Sequence, residues 1–333
     1  MNSLWGPLPL RIANAWSEFW FGAPAPNTVL ALLRIGTGWM LLYVLFLRSF
    51  DLDGLFVPEA AVDPLLKDAL DPMAWPFSVL EWVDHSSWRW GIHILAMVTA
   101  CALLAGVWTS LMAALGVVFQ LSYGHAYPAM LVGVDSLLLL ALMTLTLAPS
   151  GRVLGVLGRV DDERPPLPPH LLHLEDTREP APSRATSWKW LGLRLLQIHL
   201  CLIYFHSALA KLSSDWLAGS ALWHPWWSAT GAPLGVEEWA GRMALSGTLT
   251  FGLVLFEILY PCLIWVRPLR YPLLALALLV HLFVGFAWDL VPFNIMMLIL
   301  NLSFLPAHHM EHAMRVARPF LPMPWLSANG ARH

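Results

Sequence analysis

Within one apolar stretch of the chain, residues 188–212, a lysine, a tyrosine and two histidines recur at helical spacing. Tyr204 and Lys211 are seven residues apart, so they share one face of a helix. His199 and His206, also seven apart, share another face. Apolar surroundings disfavour the charged ammonium, and a neutral lysine amine can take a proton from a weak acid. The alternative is that Lys211 buries only its stem and extends its ammonium toward a polar boundary.

Long apolar runs must position these residues, because the composition is that of a membrane protein. Of 333 residues, 58% are hydrophobic and 12% are charged, about half the charged share of a soluble domain. The net charge of -3 gives no basic surface for nucleic acid. Runs of about 17–25 apolar residues predict membrane-spanning helices. The sequence predicts an all-α polytopic bundle with eight spans, at 27–47, 88–108, 110–126, 131–149, 188–212, 246–266, 270–288 and 291–307.

The orientation of these spans follows from arginine and lysine in the connections, which favour the cytoplasmic side. Basic residues collect in alternate connections, at 150–187, at 266–270 and in the tail after 307. The 48–87 connection is acidic, and the 213–245 connection has a single arginine. With eight spans and both termini in the cytoplasm, every basic connection falls on one side. If the source is bacterial, we expect the cytoplasmic (inner) membrane.

Three further segments flank or interrupt the predicted transmembrane domain, which covers 27–307. Residues 1–26 contain an aromatic-rich, partly polar stretch that predicts an amphipathic helix lying at the membrane interface. Residues 150–187 are rich in proline and charge and predict a cytoplasmic linker. Residues 308–333 form the predicted cytoplasmic tail. The three cysteines lie singly in apolar runs without a CxxC motif, so we expect neither a redox dithiol nor a zinc ribbon.

Charged residues at membrane depth separate into two groups. Arg34, Arg194 and Glu257 lie about 9–14 Å from the predicted cytoplasmic ends of their spans, counted at the helical rise. Charges at that depth usually face the bundle interior and pair with each other. We therefore expect a structural ion network. The alternative is that these residues hold the headgroup of a ligand.

The second group lies toward the predicted outer ends and is the candidate site. Lys211 is its centre, and it also includes Tyr43, His125, Asp135, Tyr204, His206, Asp215, Trp216 and His281. Ordinary hydrogen bonding between helices is the alternative for His125 and His281. Histidine clusters can also bind zinc, copper or iron, but no HExxH motif occurs and we expect no metal.

Four of these segments resemble one family. The run IYFHSALAKLSSDWLAG, residues 203–219, is similar to the lysine region in the membrane part of vitamin K-dependent gamma-glutamyl carboxylase. That part is shared with the horizontally transferred transmembrane domain (HTTM) proteins. LLRIGTGWMLL at 32–42 and YGHAYPAMLVGVDSLL at 123–138 resemble further segments of that family. So does FEILYPCLIWVRPLRYPLLALALLVHLFVG at 256–285, which contains Glu257 and His281.

The resemblance implies a specific chemistry. Lys211 would deprotonate a reduced, vitamin K-like quinone at the outer face, with His125 and His281 as further catalytic residues of its pocket. Two departures from the family pattern are Ala210, where the family has a second lysine, and the Ser213-Ser214 pair before Asp215. The chain ends about 25 residues after the last predicted span, so we expect no large luminal region for a protein substrate. Use of oxygen or carbon dioxide stays open.

Three functions are consistent with these observations. The first is a membrane enzyme that abstracts a proton from a lipid-soluble, quinone-like substrate with Lys211. The second is a non-catalytic membrane protein that keeps the family architecture to bind a lipid or a partner, whose identity the sequence does not give. The third is a transporter, but the inverted repeats and broken spans typical of that class are not evident.

Overall fold

The computed structural model describes residues 16, 19–20, 27–50, 52, 78–80, 85–126, 133–148, 150–151, 154–155, 184–212, 216 and 236–306. In these residues every regular element is helical. The α-helices are α1 Asn27–Ser49, α2 Ser86–Ala105, α3 Thr109–Ala126, α4 Gly133–Leu147, α5 Arg184–Ala210, α6 Val236–Leu263, α7 Arg267–Ala287 and α8 Val291–Asn301. A short 3-10 turn, Leu302–Phe304, follows α8.

Each of the eight predicted spans overlaps one of these helices. Five are long and apolar enough to cross a membrane: Asn27–Ser49, Ser86–Ala105, Lys189–Ala210, Ala244–Leu263 and Arg267–Phe286. The shorter apolar helices are Thr109–Gly124, Gly133–Leu147 and Val291–Phe304. The predicted class, a multi-pass helical membrane protein, is confirmed at that level.

Two compact units make up the chain, and they divide inside α5. The first runs from Met1 to Leu195 with Leu305–His333, and the second runs from Leu196 to Phe304. The predicted linker at 150–187, the tail at 308–333 and the segment 1–26 lie largely outside the described residues. Within residues 1–26, the structure describes only Trp16, Phe19 and Trp20.

In the first unit, helices α1 to α4 form a ring, since α1 packs on α2 and α4, and α3 packs on the same two helices. Close approach of α1 and α2 depends on Gly38, where an added Cβ would lie 3.0 Å from the backbone of Leu104. Helix α2 ends at Gly106, whose φ of 80° is left-handed, with hydrogen bonds from the Gly106 and Val107 amides back to the last turn. This sharp end lets α3 begin at Thr109 and run back along α2.

In the second unit, α7 packs along α8 and against α6. Prolines near the starts of α7 and α8, Pro268 and Pro292, occupy first-turn positions where no backbone donor is lost. The large apolar side chains of α7 are mostly exposed, and only 17% of its apolar window is buried inside the protein. That exposure is typical of a helix whose outer face contacts lipid rather than water.

Candidate functional site

Lys211 follows the last residue of α5 and forms an ion pair with Glu257 of α6. Its Nζ atom lies 2.8 and 2.7 Å from the two carboxylate oxygens of Glu257 and also donates to the Ser207 hydroxyl. That hydroxyl donates to Glu257 Oε1 at 3.2 Å. The Lys211 side chain is 16% exposed and that of Glu257 10%. The ring of Trp216 lies 5.2 Å from Nζ, within range of a cation–π interaction.

Tyr204 and Lys211, seven residues apart, both face α6, as expected for two residues on one helix face. The Tyr204 ring packs against Tyr260 and Phe256 of α6, with centroids 4.0 and 5.7 Å apart. His206 is exposed on another face of the helix. Two residues of the predicted site, Lys211 and Tyr204, therefore belong to one face of α5.

The predicted grouping of Glu257 with Arg34 and Arg194 is wrong. Glu257 lies nine residues before Val266, about 14 Å at the helical rise, and this distance placed it in the inner group. The prediction assumed that neighbouring helices end at equal depth, but Lys211 and Glu257 are in contact and must lie at the same level. The alternative interpretation, in which the Lys211 ammonium extends to a polar boundary, does not hold either, because the ammonium pairs with Glu257.

His281 of α7 takes part in a chain of hydrogen bonds that includes Tyr204, two helical turns from Lys211 on α5. The amide nitrogen of Asn294 donates to the Leu290 carbonyl, so its oxygen faces His281 Nδ1, 2.8 Å away, and accepts from it. The other ring nitrogen, Nε2, is then the acceptor for the Tyr204 hydroxyl at 2.7 Å. This pattern uses both nitrogens of the imidazole.

The chain continues into α6 and α8 through Asn301. Its amide nitrogen donates to the Tyr204 hydroxyl at 3.0 Å and to the Met297 carbonyl at 2.8 Å, and its oxygen accepts from Tyr260. Residues from α5, α6, α7 and α8 thus form one directed network. Sequence reasoning missed both asparagines and Tyr260, although amides in apolar runs were a signal for such a network.

The first unit contains a separate cluster that includes Asp135. Arg48 Nη2 and Gln120 Nε2 donate to the same oxygen of Asp135, at 2.8 and 2.5 Å. The Arg48 guanidinium lies over the Tyr123 ring, 4.8 Å from its centroid. The Tyr123 hydroxyl bonds His93 Nδ1 at 2.5 Å.

The same cluster reaches back to the end of α1. His93 Nε2 lies 2.8 Å from the Ser49 hydroxyl, which donates to the Leu45 carbonyl. The cluster therefore combines the ends of α1 and α3 with the beginnings of α2 and α4. Of its members, sequence reasoning selected only Asp135. Tyr43, also predicted for the site, is half-buried on α1 and stacks on Trp39 with centroids 5.8 Å apart.

Arg34 and Arg194, the other predicted ion-network residues, bond backbone carbonyls. Arg34 is fully buried and donates to the carbonyls of Ser150 and Leu154, at 3.2 and 2.6 Å. Arg194 donates to the Phe19 carbonyl at 2.7 Å, and its guanidinium lies 4.6 Å from the Phe19 ring centroid. These contacts hold Arg34 and Arg194 against backbone carbonyls, so the role supported for both arginines is structural.

The remaining predicted site residues are His125 and Asp215. Asp215 and the side chain of His125 lie outside the described residues. Within the described part of the chain, no group of three or more histidine, cysteine, aspartate or glutamate residues is placed to hold a metal ion.

No family model, curated protein or solved structure matches this chain. The similarity to the carboxylase and HTTM membrane region therefore stays a prediction from the four segments quoted above. The site itself is described by its geometry: a buried ammonium–carboxylate pair with a serine hydroxyl and an indole beside it.

Proposed function

We propose that this protein is a membrane enzyme that removes a proton from a lipid-soluble weak acid, such as a reduced quinone, at the Lys211–Glu257 pair. The observation that carries the proposal is the ion pair itself. Charges inside an apolar helix bundle are costly, and they usually mark a functional site. The similarity of residues 203–219 to the lysine region of the carboxylase family supports the same substrate class.

In this proposal the proton acceptor is Glu257 rather than Lys211. The Lys211 ammonium donates to both carboxylate oxygens and to Ser207, so its nitrogen has no free lone pair. A carboxylate has further lone pairs for a substrate hydroxyl. In the proposed step the hydroxyl proton moves to Glu257, which becomes a neutral acid. The substrate keeps the electron pair as an oxyanion, and the Lys211 ammonium compensates that charge.

Trp216 supplies the aromatic surface of the proposed site. Its ring lies beside the Lys211 ammonium and 6.5 Å from the ring of Trp288. A flat aromatic substrate can stack on such indoles while its hydroxyl reaches the ion pair. Tyr204 and His281 act as positioning residues in this proposal, because their hydrogen bonds fix the face of α5 that carries Lys211.

Spectroscopy of a bound hydroquinone tests the proposal. A reduced naphthoquinone with a short isoprenoid tail is titrated without oxygen into the purified full-length protein, and the absorbance of its anion is followed. We expect anion formation with the unaltered protein, a loss of about tenfold or more with Glu257→Gln, and a weaker signal with Lys211→Met. Asp289→Asn, which removes an exposed carboxylate of the same unit, is the control. Anion formation by Glu257→Gln within twofold of the unaltered protein would reject the proposal.

One observation favours a second function, a non-catalytic protein that binds a lipid or a partner. Both His281 nitrogens and the Tyr204 hydroxyl are used in bonds between helices, as in a purely structural network. In that case the hydroquinone either binds without an anion spectrum or does not bind, and Glu257→Gln changes neither result.

We also propose eight membrane spans with both termini in the cytoplasm. The eight apolar helices and the alternation of basic and acidic connections support this arrangement.

A further inference from the structure

The cluster around Asp135 contains two buried polar atoms that the proton transfer at Lys211 and Glu257 does not use. Arg48 Nη1 and Gln120 Oε1 are both buried, and neither has a hydrogen-bond partner in the part of the chain that the structure describes. Gln120 is 3% exposed. Arg48 Nη2 and Gln120 Nε2, the other polar atoms at the ends of these side chains, both donate to the same Asp135 oxygen. Burial of such atoms without a partner costs free energy, so the pair is suited to receive one.

The chemistry of the two atoms restricts which group can bond both of them. Arg48 Nη1 is a donor and Gln120 Oε1 is an acceptor, so the fitting group must accept one hydrogen bond and donate another. The charge of Arg48 is already compensated by Asp135. A carboxylate or a phosphodiester would add a second negative charge beside Asp135 and would bring no proton for Gln120. A neutral hydroxyl group meets both requirements.

The surroundings of Arg48 indicate the rest of the ligand. Phe46, Leu47 and Phe50, next to Arg48 in the sequence, are exposed by 51%, 47% and 74%. The end of α1 that carries Arg48 therefore also presents apolar surface for a hydrocarbon tail. The ring of Tyr123 lies under the guanidinium, and the Tyr123 hydroxyl is tied to His93, so the donor is held in place before binding.

We propose that Arg48 and Gln120 bind the hydroxyl group of a neutral amphiphile at this end of the α1–α4 ring. Arg48 Nη1 donates to the hydroxyl oxygen, and Gln120 Oε1 accepts from the hydroxyl proton. The site is distinct from the proton-transfer pair in residues, in unit and in chemistry.

Decanol and its methyl ether, 1-methoxydecane, separate this site from a nonspecific apolar surface. Both offer an acceptor oxygen and the same tail, but only the alcohol can donate to Gln120. Calorimetric titration uses the full-length protein in lauryldimethylamine oxide, a detergent without hydroxyl groups. Decanol is too weak an acid for the Lys211–Glu257 pair, so Glu257→Gln leaves its binding unchanged even if the proposed proton transfer fails. We expect decanol to bind about fivefold more tightly than the ether, the effect of one net hydrogen bond.

Three variants identify the residues. Gln120→Met removes the acceptor at similar volume, and we expect it to abolish the preference for the alcohol. Arg48→Lys keeps the charge beside Asp135 but removes the second nitrogen, and we expect it to weaken binding of both ligands. Gln197→Met is the matched control, because Gln197 is also a buried glutamine, 4% exposed, that donates to the Ser303 carbonyl in the other unit.

The proposal is overturned if the unaltered protein binds the alcohol and the ether equally, as it would if a water molecule satisfied both atoms permanently. It is also overturned if Gln120→Met and Gln197→Met give the same preference as the unaltered protein. Should Gln120→Met fail to fold, Arg48→Lys and the comparison of the two ligands on the unaltered protein still decide the question.

Discussion

Lys211 and Glu257 lie 46 residues apart in the sequence, and the ammonium of the first contacts both carboxylate oxygens of the second. The pair joins the end of α5 to the last third of α6. Because both side chains are at least 84% buried, each charge depends on the other for its stability in the apolar bundle. The coupling energy between the two side chains therefore reports how far water is excluded from the site.

A double-mutant cycle on this pair should show strong coupling. We expect Lys211→Met and Glu257→Gln each to lower the free energy of unfolding by about 2–4 kcal/mol, since each leaves a charge without its partner. The double variant should lose less than the sum, with a coupling of about 1–3 kcal/mol. Thermal and denaturant unfolding of the purified protein in detergent measure this. Thr248→Ala, on an exposed face of α6, is the control. Strictly additive losses would contradict a dry pair.

The Tyr204 hydroxyl should matter more than that of Tyr260. Tyr204→Phe leaves both His281 Nε2 and an Asn301 donor unpaired, whereas Tyr260→Phe affects only the Asn301 oxygen. We expect losses of about 2–3 kcal/mol for Tyr204→Phe and about 1 kcal/mol for Tyr260→Phe. The two variants are matched in chemistry and burial, so comparison of their melting temperatures suffices. Equal melting temperatures would argue against the network.

Arg34 should be required for the stability of the first unit. Arg34→Met removes two hydrogen bonds from a buried guanidinium to the carbonyls of Ser150 and Leu154. We expect a loss of about 2–4 kcal/mol, given the strength of bonds to charged groups. Arg267→Met, at the exposed start of α7, should change stability by less than about 0.5 kcal/mol. Limited proteolysis and thermal unfolding of the two variants provide the comparison.

Gly106 and Gly91 should respond to alanine in opposite directions. At Gly106 the φ of 80° disfavours any side chain, and an added Cβ would overlap the Arg34 guanidinium and lie 2.7 Å from Gly155 Cα. At Gly91, inside α2, nothing lies within 4 Å of an added Cβ. We expect Gly106→Ala to destabilise by more than 1 kcal/mol, roughly, and Gly91→Ala to stabilise by up to about 1 kcal/mol. If both variants melted above the unaltered protein, or both below it, the prediction would be wrong.

Cysteine labelling tests the proposed orientation. In a background without Cys101, Cys201 and Cys262, single cysteines replace Asp63 in the acidic connection and Ser183 in the basic one. We expect a membrane-impermeant maleimide to label Asp63→Cys in intact cells and Ser183→Cys only after permeabilisation. Labelling of both positions from one side would contradict the alternation of connections.

The helices were predictable because their signal is local. An apolar run must be helical to satisfy its backbone in a membrane, and its length sets the limits of the element. The predicted span 27–47 and the observed α1, Asn27–Ser49, differ by two residues. That small difference matters, because it puts Arg48 on a helix, where it pairs with Asp135, rather than in the acidic connection.

The pairings were not predictable, because they depend on how far one helix is displaced along another. Counting residues from the end of each span placed Glu257 and Lys211 at opposite sides of the membrane, although they are in contact. Neutral amides were a second omission. Gln120, Asn294 and Asn301 carry no charge, yet each bonds a side chain of another helix. Gln120 bonds Asp135, Asn294 bonds His281, and Asn301 bonds Tyr204.

Arg34 also constrains the order in which the protein can be made. Its two carbonyl partners are synthesised 116 and 120 residues later, after the whole of α4 has been synthesised. At a synthesis rate of about 5–20 residues per second, the first span carries an unpaired guanidinium for roughly 6–24 s. During that interval the nascent chain depends on water, lipid headgroups or the insertion machinery to accommodate the charge. A truncated product that ends before Ser150 keeps this exposed arginine permanently, which gives membrane quality control a physical mark by which to recognise it.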